Sequence, residues 1–216
     1  MRILGIGAHP DDIEIYFAGL LGLAGSRGHD VHWLVATCGG AYGTGEAATL
    51  RERRREEART GAALFGAAPI FLGREDGGLH ADHEATALLA AEFARLAPDL
   101  IVTHAPNDYH PDHRALSAYV VQAASFRIPV LYADTMLGID FHPGHYVDIS
   151  AYMERKKQAL ALHASQPVGR YLEFIEIWNR FRGLQTGNPT CRYAEAFRFE
   201  PRFPFGTIDG TLKAII

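Results

Sequence analysis

Short apolar runs alternate with helical stretches along the chain, and this alternation is the feature that most constrains the fold. Residues 2–7, 31–37 and 99–104 form such runs, and each contains β-branched residues and ends in a polar or glycine-rich turn. This pattern is typical of buried strands. Strands that alternate with helices build a parallel sheet, because each right-handed crossover places its helix on a face of the sheet. The sequence therefore predicts an α/β fold: a Rossmann-like, doubly wound, mostly parallel sheet with helices on both faces.

The other elements follow from composition and periodicity. Residues 47–65 are rich in Ala, Glu, Arg and Leu and contain no proline, which favours a long helix. We expect further helices over residues 13–27, 83–96, 111–126, 151–163 and 173–182. We expect further strands over residues 69–72, 130–133 and 145–149. In a sheet of this kind, ligands bind at the carboxyl ends of the strands.

The composition is that of one globular domain, which we expect to span residues 1–216. Of these residues 48% are hydrophobic and 21% are charged, enough to bury a substantial core. The net charge of −4 argues against a nucleic-acid-binding surface. Cys38 and Cys191 are too few and too far apart for a disulfide framework. The N-terminus lacks the long apolar segment of a signal peptide or membrane span, so we expect a cytoplasmic protein without membrane insertion.

Two clusters of polar residues follow predicted strands. The first is His9-Pro10-Asp11-Asp12, and the second is Asn107-Asp108-Tyr109-His110-Pro111-Asp112-His113. If both strands belong to one sheet, the clusters meet at the same edge. Two histidines and one carboxylate leave a coordination position open, as a catalytic zinc requires if it is to activate water. Of the adjacent carboxylates, one can bind the metal while its neighbour acts as a general base.

A purely structural role is the alternative for the first cluster. His9 can end the strand, and Asp11 or Asp12 can cap the helix that follows. Caps are common where a strand gives way to a helix. Capping explains the carboxylates but not the histidines that recur in both clusters, so a metal site is the better hypothesis.

These motifs identify a family. Ala8-His9-Pro10-Asp11-Asp12-Ile13-Glu14 together with His110-Pro111-Asp112-His113 resembles the PIG-L/LmbE family of zinc-dependent N-deacetylases. Further similarity, spread over nearly the whole chain, lies in Arg54-x-x-Glu57, Leu72-Gly73 with Asp76-Gly77, Val147-Asp148-Ile149, His163-x-Ser165-Gln166 and Ala194-Glu195-Ala196-Phe197. The resemblance implies removal of an acetyl group from the amide nitrogen of an N-acetylglucosamine-type conjugate, a small-molecule substrate.

The resemblance also implies a role for each residue of the two clusters. The metal ligands implied are His9, Asp12 and His113, holding one Zn²⁺ per chain. Asp11 is implied as the general base that takes a proton from metal-bound water. His110, as an imidazolium, is implied to stabilise the oxyanion, and Asp112 to orient it or raise its pKa.

Four further residues are candidates for contact with the substrate. Asp108 and Tyr109 lie next to the second cluster, Arg54 can reach a sugar hydroxyl or an anionic group, and the family pattern makes His163 a candidate for the pocket wall. Each also has a structural interpretation. Tyr109 can simply pack, Arg54 can pair with Glu57 on its own helix, and His163 can cap a helix C-terminus. The glycine-rich loop at residues 39–45 and the turn at residues 76–78 can approach a sugar closely or be plain turns.

Other functions stay open. A nucleotide-binding domain is suggested by Gly5-x-Gly7, but Pro10 occupies the place of the third glycine of the dinucleotide fingerprint. The same fold and metal can also serve a lyase or hydratase acting on a carboxylic acid, or a protein that binds a sugar without turning it over. Fe²⁺ is an alternative to zinc for this ligand set. Residues 192–205 can form a surface for a homo-oligomer or cover a sheet edge.

Overall fold

The computed structural model describes residues 1–40 and 46–200 of the chain. Seven strands are found there, namely β1 (Arg2–Gly7), β2 (Asp30–Thr37), β3 (Pro69–Arg74), β4 (Leu100–Thr103), β5 (Val130–Ala133), β6 (His145–Asp148) and β7 (Ala194–Phe199). The α-helices are α1 (Asp12–Tyr16), α2 (Ala18–Ser26), α3 (Glu46–Ala63), α4 (Ala85–Leu96), α5 (Pro111–Ala124), α6 (Met153–Ala161) and α7 (Val168–Gln185). None of the helices in this part of the chain is long and apolar enough to cross a membrane.

The strands form one sheet in the order β3-β2-β1-β4-β5-β7-β6. The first five strands of that order are mutually parallel, whereas β7 runs antiparallel to both of its neighbours. Alternate residues of β1 bury their side chains in two separate apolar clusters, with Ile3 in one and Leu4 and Ile6 in the other. The prediction of an α/β, mostly parallel sheet covered on both faces is confirmed.

The strand order places a crevice where a ligand can bind. Strand β1 lies at the centre, and the chain leaves it toward β2 on one side and reaches β4 on the other. The loops that follow β1 and β4 therefore diverge at the carboxyl ends of two adjacent strands, which is where open α/β sheets bind their ligands. Both polar clusters of the sequence lie in these loops or in the first turns of the helices that follow them.

The helix predicted over residues 13–27 is interrupted. It is divided into α1 and α2 at Phe17, whose φ of −151° is not helical. The break frees the backbone N–H groups of Gly19 and Leu20, which donate to the two carboxylate oxygens of Glu195 at 2.9 and 2.7 Å. A side chain from the last strand thus caps the second helix, a contact that the local sequence could not reveal.

The C-terminal segment was also predicted incompletely. Residues 192–205 were expected to form a partner surface or to cover a sheet edge, whereas β7 lies inside the sheet between β5 and β6. The part of this segment beyond residue 200 lies outside the described residues, as do residues 41–45 of the glycine-rich loop. The helix expected over residues 173–182 is longer and spans Val168–Gln185.

Two glycines of α2 differ in the space around them, and this difference predicts opposite effects of alanine. A Cβ at Gly19 would lie 2.5 Å from Ile149 Cγ2, whereas a Cβ at Gly25 would meet only Val31 Cγ2 at 4.0 Å. We expect Gly19→Ala to lower the free energy of unfolding by about 1–3 kcal/mol through overpacking. Gly25→Ala should raise it by about 0.4–1 kcal/mol, because alanine restricts the unfolded chain. Urea denaturation of both variants measures the difference, and equal effects would contradict it.

Candidate metal centre

The loops after β1 and β4 bring the two polar clusters together around one cavity. It has a volume of about 160 Å³ and is lined by residues of both clusters, including His9, Asp11, Asp12, His110 and His113. Other parts of the chain complete the wall with Arg54, Asp76, Met136, Gln166 and Tyr171. The site is therefore built by residues that are distant in sequence and that converge only in the fold.

Asp12 lies between the two imidazoles that were predicted to share a metal with it. Its Oδ2 is 3.3 Å from His9 Nδ1, and its Oδ1 is 3.3 Å from His113 Nε2. Burial alone would raise the pKa of Asp12, but the neighbouring imidazoles of His113, His104 and His9 hold it well below its usual range. A buried carboxylate that faces two ring nitrogens is a donor set suited to a divalent cation.

The outer nitrogens of both rings face carboxylates. His9 Nε2 lies 3.2 Å from Asp76 Oδ1 and 3.3 Å from Asp112 Oδ2, and His113 Nδ1 lies 3.1 Å from Asp108 Oδ1. Such carboxylates orient the rings of ligating histidines and fix their tautomers. They leave His9 Nδ1 and His113 Nε2, the atoms that face Asp12, available to a cation.

This arrangement differs from the roles implied for two of the acidic residues. Asp112 was expected to orient His110 or to raise its pKa. Its negative charge does act to raise the pKa of His110, but its carboxylate contacts His9 and accepts from the backbone N–H of Gly77 at 2.7 Å. Asp108 was expected to reach the substrate, but it is buried against His113 and is absent from the cavity wall. Both are placed to support the histidines rather than to contact a ligand.

His104 and Asp76 are parts of the site that sequence reasoning did not assign. His104 Nε2 lies 3.1 Å from Asp12 Oδ2, and its ring stacks on that of His113 with centroids 3.7 Å apart. The only sequence signal for it is its position directly after a strand. Asp76 belongs to an Asp-Gly turn in the sequence, and its side chain faces both His9 and, at 3.9 Å, Arg54.

Asp11 adopts a backbone conformation that side chains other than glycine rarely take. Its φ is 127°, and although it stands at the N-cap position of α1, its side chain makes no capping hydrogen bond. The capping interpretation is therefore wrong for Asp11. Burial raises the pKa of its carboxyl to about 6, against the opposing effect of the Arg54 guanidinium, whose Nη2 donates to Oδ1 at 3.3 Å. Strain of this kind is concentrated at functional sites.

His110 caps the helix that carries His113. Its Nδ1 accepts from the backbone N–H of Asp112 at 3.2 Å, so that Nδ1 carries a lone pair and Nε2 carries the proton. Burial and the charges of His113 and His9 lower the pKa of His110, against the opposing charges of Asp12 and Asp112. The hydrogen bond at Nδ1 thus favours a neutral imidazole that donates through Nε2, whereas the resemblance implies an imidazolium.

The remaining candidates for substrate contact differ in position. Arg54 lines the cavity and donates to the carbonyl oxygens of Gly39 and Pro10 at 2.6 and 3.0 Å, so it is held by the site and not by Glu57. Tyr109 also lines the cavity and is 58% exposed. His163 is fully buried, hydrogen-bonded to Glu14 at 3.1 Å, and does not line the cavity.

Fold and site together define an α/β protein with a candidate two-histidine, one-carboxylate metal centre at a strand crossover. Residues 4–124 match the family model PIG-L, described as GlcNAc-PI de-N-acetylase. The chain is 31% identical over 223 residues to diacetylchitobiose deacetylase of Thermococcus kodakarensis, an alignment that covers 93% of this chain and 83% of that protein. The chain therefore belongs to the PIG-L family, and the resemblance of its motifs is confirmed.

Other similar proteins are named as hydratases or as a deacetylase. A 4-oxalmesaconate hydratase of Pseudomonas putida is 24% identical over 191 residues, covering 76% of this chain and 73% of that protein. The fold matches 4-carboxy-2-hydroxymuconate hydratase from P. putida with a TM-score of 0.83 at 22% identity, over 95% of this chain and 98% of the other. It matches N,N′-diacetylchitobiose deacetylase from Pyrococcus horikoshii with a TM-score of 0.80 at 24% identity, over 93% and 84% of the two chains.

Proposed function

We propose that this chain is a metal-dependent hydrolase that removes the acetyl group from the amide nitrogen of an N-acetylglucosamine-type conjugate. The observation that carries the proposal is the juxtaposition of Asp11, a buried carboxylate in a strained backbone conformation, with the His9, Asp12 and His113 donor set in one cavity. A deacetylase relative that is 31% identical over most of the chain supports the choice of reaction.

The donor atoms suit a zinc ion. His9 Nδ1, His113 Nε2 and the carboxylate of Asp12 would hold it, which is the number and type of ligand that catalytic zinc uses. When bound, the metal would supply an activated water molecule and would polarise the amide carbonyl. Asp76, Asp108 and Asp112 would keep the two rings aligned.

The chain's own residues would move the proton and bind the developing charge. Asp11 Oδ would accept a proton from the attacking water and would later return that proton to the departing amine. His110 Nε2–H would donate to the oxyanion as the carbonyl carbon becomes tetrahedral. Arg54 would keep the carboxylate of Asp11 oriented through its hydrogen bond, and it also forms part of the cavity wall.

The experiment that tests the function measures metal content and acetate release together. Purified protein is supplied with Zn²⁺ or, under anaerobic conditions, with Fe²⁺, and acetate is measured with N-acetylglucosamine and with N,N′-diacetylchitobiose. Acetate release that depends on the added metal is the expected result. A protein that binds neither metal and releases no acetate would overturn the proposal.

Replacement of one metal-ligating side chain should weaken metal binding and abolish turnover together. We expect His113→Ala to weaken metal binding by more than the roughly 10- to 100-fold that loss of an outer-shell partner costs, and acetate release should fall to background. His80→Ala, at an exposed position, is the matched control and should retain both properties. Full metal content in the His113→Ala variant, measured by atomic emission, would show that the ligand set is wrong.

A hydratase is the second candidate, favoured by the relative that is a 4-oxalmesaconate hydratase. The guanidinium of Arg54 in the cavity wall suits a substrate carboxylate, and general acid-base groups serve hydration as well as hydrolysis. The two functions are separated by supplying an unsaturated dicarboxylic acid beside the amide. Loss of the enoate absorbance without any acetate release would favour the hydratase.

A further inference from the structure

We propose that Gln166 determines substrate specificity by accepting a hydrogen bond from a sugar hydroxyl through its Oε1. This inference rests on the proposed function, because it assigns a partner to the substrate of that site. Gln166 is half-buried in the loop between α6 and α7 and lines the same cavity as Asp11 and His113. It comes from a part of the chain that supplies neither the metal ligands nor the base.

The orientation of the Gln166 amide is fixed by its neighbour. Nε2 donates to the carbonyl oxygen of Ser165 at 3.1 Å and lies 3.3 Å from Ser165 Oγ. A carbonyl oxygen accepts and cannot donate, so the amide nitrogen must face Ser165. Among the residues that the structure describes, Oε1 has no donor, which leaves it as a neutral acceptor for a ligand.

Ser165 is in turn held against a distant helix. Its backbone N–H donates to Glu57 Oε1 at 2.9 Å, and its hydroxyl donates to Glu57 Oε2. Glu57 is a residue of α3, and it lies 108 positions before Ser165 in the sequence. We call this contact the Glu57–Ser165 latch. The latch makes Glu57 and Ser165 positioning residues, since they act on the substrate only through Gln166.

The backbone of the loop is fixed as well. The N–H of Gln166 donates to the carbonyl oxygen of His163 at 2.9 Å, and its own carbonyl oxygen accepts from Val168 at 2.7 Å. An acceptor whose side chain and backbone are both held by hydrogen bonds loses little conformational entropy when a ligand binds. It therefore discriminates between ligands better than a mobile acceptor does. A rigid, neutral acceptor recognises a group that carries a donor hydrogen. The substrates of the proposed function carry an amide N–H, which belongs to the reacting group, and ring hydroxyls, and it is to one of these hydroxyls that we assign Oε1.

The test compares variants on substrates that lack single hydroxyls. N-acetylglucosamine and its 3-, 4- and 6-deoxy analogues are given to the zinc-loaded wild type and to Gln166→Ala. In the wild type, one analogue should show a KM raised about three- to tenfold, the range expected for one lost hydrogen bond. Gln166→Ala should show the same increase with the parent sugar and no further increase with that analogue. Gln122→Ala, on the exposed side of α5, is the matched control.

The Glu57–Ser165 latch is tested by the same comparison of KM between the parent sugar and the deoxy analogue. Glu57→Ala should reduce the discrimination against that deoxy analogue, and Glu57→Gln should restore part of it because the amide oxygen still accepts from Ser165. A general loosening of the fold would instead change kcat and KM for all four sugars alike. The unfolding midpoint of each variant is measured in parallel.

Two failures are distinguishable. If the wild type releases no acetate from any N-acetylated sugar, the proposed function fails, and the role of Gln166 fails with it. If the wild type releases acetate but Gln166→Ala discriminates among the deoxy analogues as the wild type does, only the role of Gln166 is overturned.

Discussion

Asp11→Asn is expected to lower kcat for acetate release by about 10²- to 10⁴-fold, the usual contribution of a general base. Asparagine has the same shape and tolerates positive φ better than most residues, so the strained backbone at φ 127° remains accessible. It cannot accept the proton of the attacking water. The metal content should stay unchanged, because the proposed ligands are intact. Acetate release and metal content are measured on the same preparation.

Asp140→Asn is the matched control for this variant. Asp140 is an exposed aspartate that also has a positive φ, of 54°, and it lies outside the cavity wall. Its substitution should leave kcat unchanged. A kcat for Asp11→Asn within a few-fold of the wild type would rule out Asp11 as the base, whereas loss of metal would make it a ligand instead.

Lys156→Met should cause the largest loss of stability. Lys156 and Glu195 are fully buried, and Lys156 Nζ lies 2.7 Å from Glu195 Oε1. Burial lowers the pKa of Lys156, against the opposing charge of Glu195. Removal of the lysine would leave a buried carboxylate without its cation, which costs about 3–5 kcal/mol. The free energy of unfolding is measured by urea denaturation of the metal-loaded protein.

A double variant and a substitution of the neighbouring lysine test whether the loss of stability in Lys156→Met comes from the buried ion pair. Lys156→Met combined with Glu195→Gln removes both charges but keeps only one acceptor oxygen for the N–H groups of Gly19 and Leu20, so its loss should stay below the sum of the losses of the two single variants. Lys157→Met is the matched control, since Lys157 pairs with Glu154 and Glu176 near the surface, where such pairs contribute about 0–1 kcal/mol. Equal losses for Lys156→Met and Lys157→Met would contradict the importance of the buried pair.

The sequence was sufficient for those features that depend on local pattern. Strands were predicted over residues 2–7, 31–37 and 99–104, because short apolar runs that end in polar turns are typical of buried strands. The structure has β1, β2 and β4 at these positions. The convergence of His9 and His113 followed from the rule that parallel strands meet at their carboxyl ends. The fold and the neighbourhood of the site could therefore be inferred from the sequence alone.

The sequence was insufficient where a contact joins distant segments. Nothing near Asp112 indicates that its carboxylate faces His9, since that contact spans 103 positions. Nothing near Phe17 indicates that a helix breaks there, because the carboxylate that caps the second helix comes from Glu195. The tautomer of His110 likewise depends on a hydrogen bond to the N–H of Asp112, which residue types alone do not specify.

The antiparallel insertion of β7 has a consequence for biosynthesis. Strand β6 pairs only with β7 within the described residues, and β7 also completes the pairing of β5. Until the segment Ala194–Phe199 has been synthesised, β5 therefore exposes an unpaired edge, a site at which a nascent chain can associate wrongly. Residues 1–113, which carry both polar clusters, emerge long before that edge is closed. Completion of the native sheet must await the segment Ala194–Phe199, which follows β5 only after α6 and α7, so the edge of β5 stays open while both helices are made.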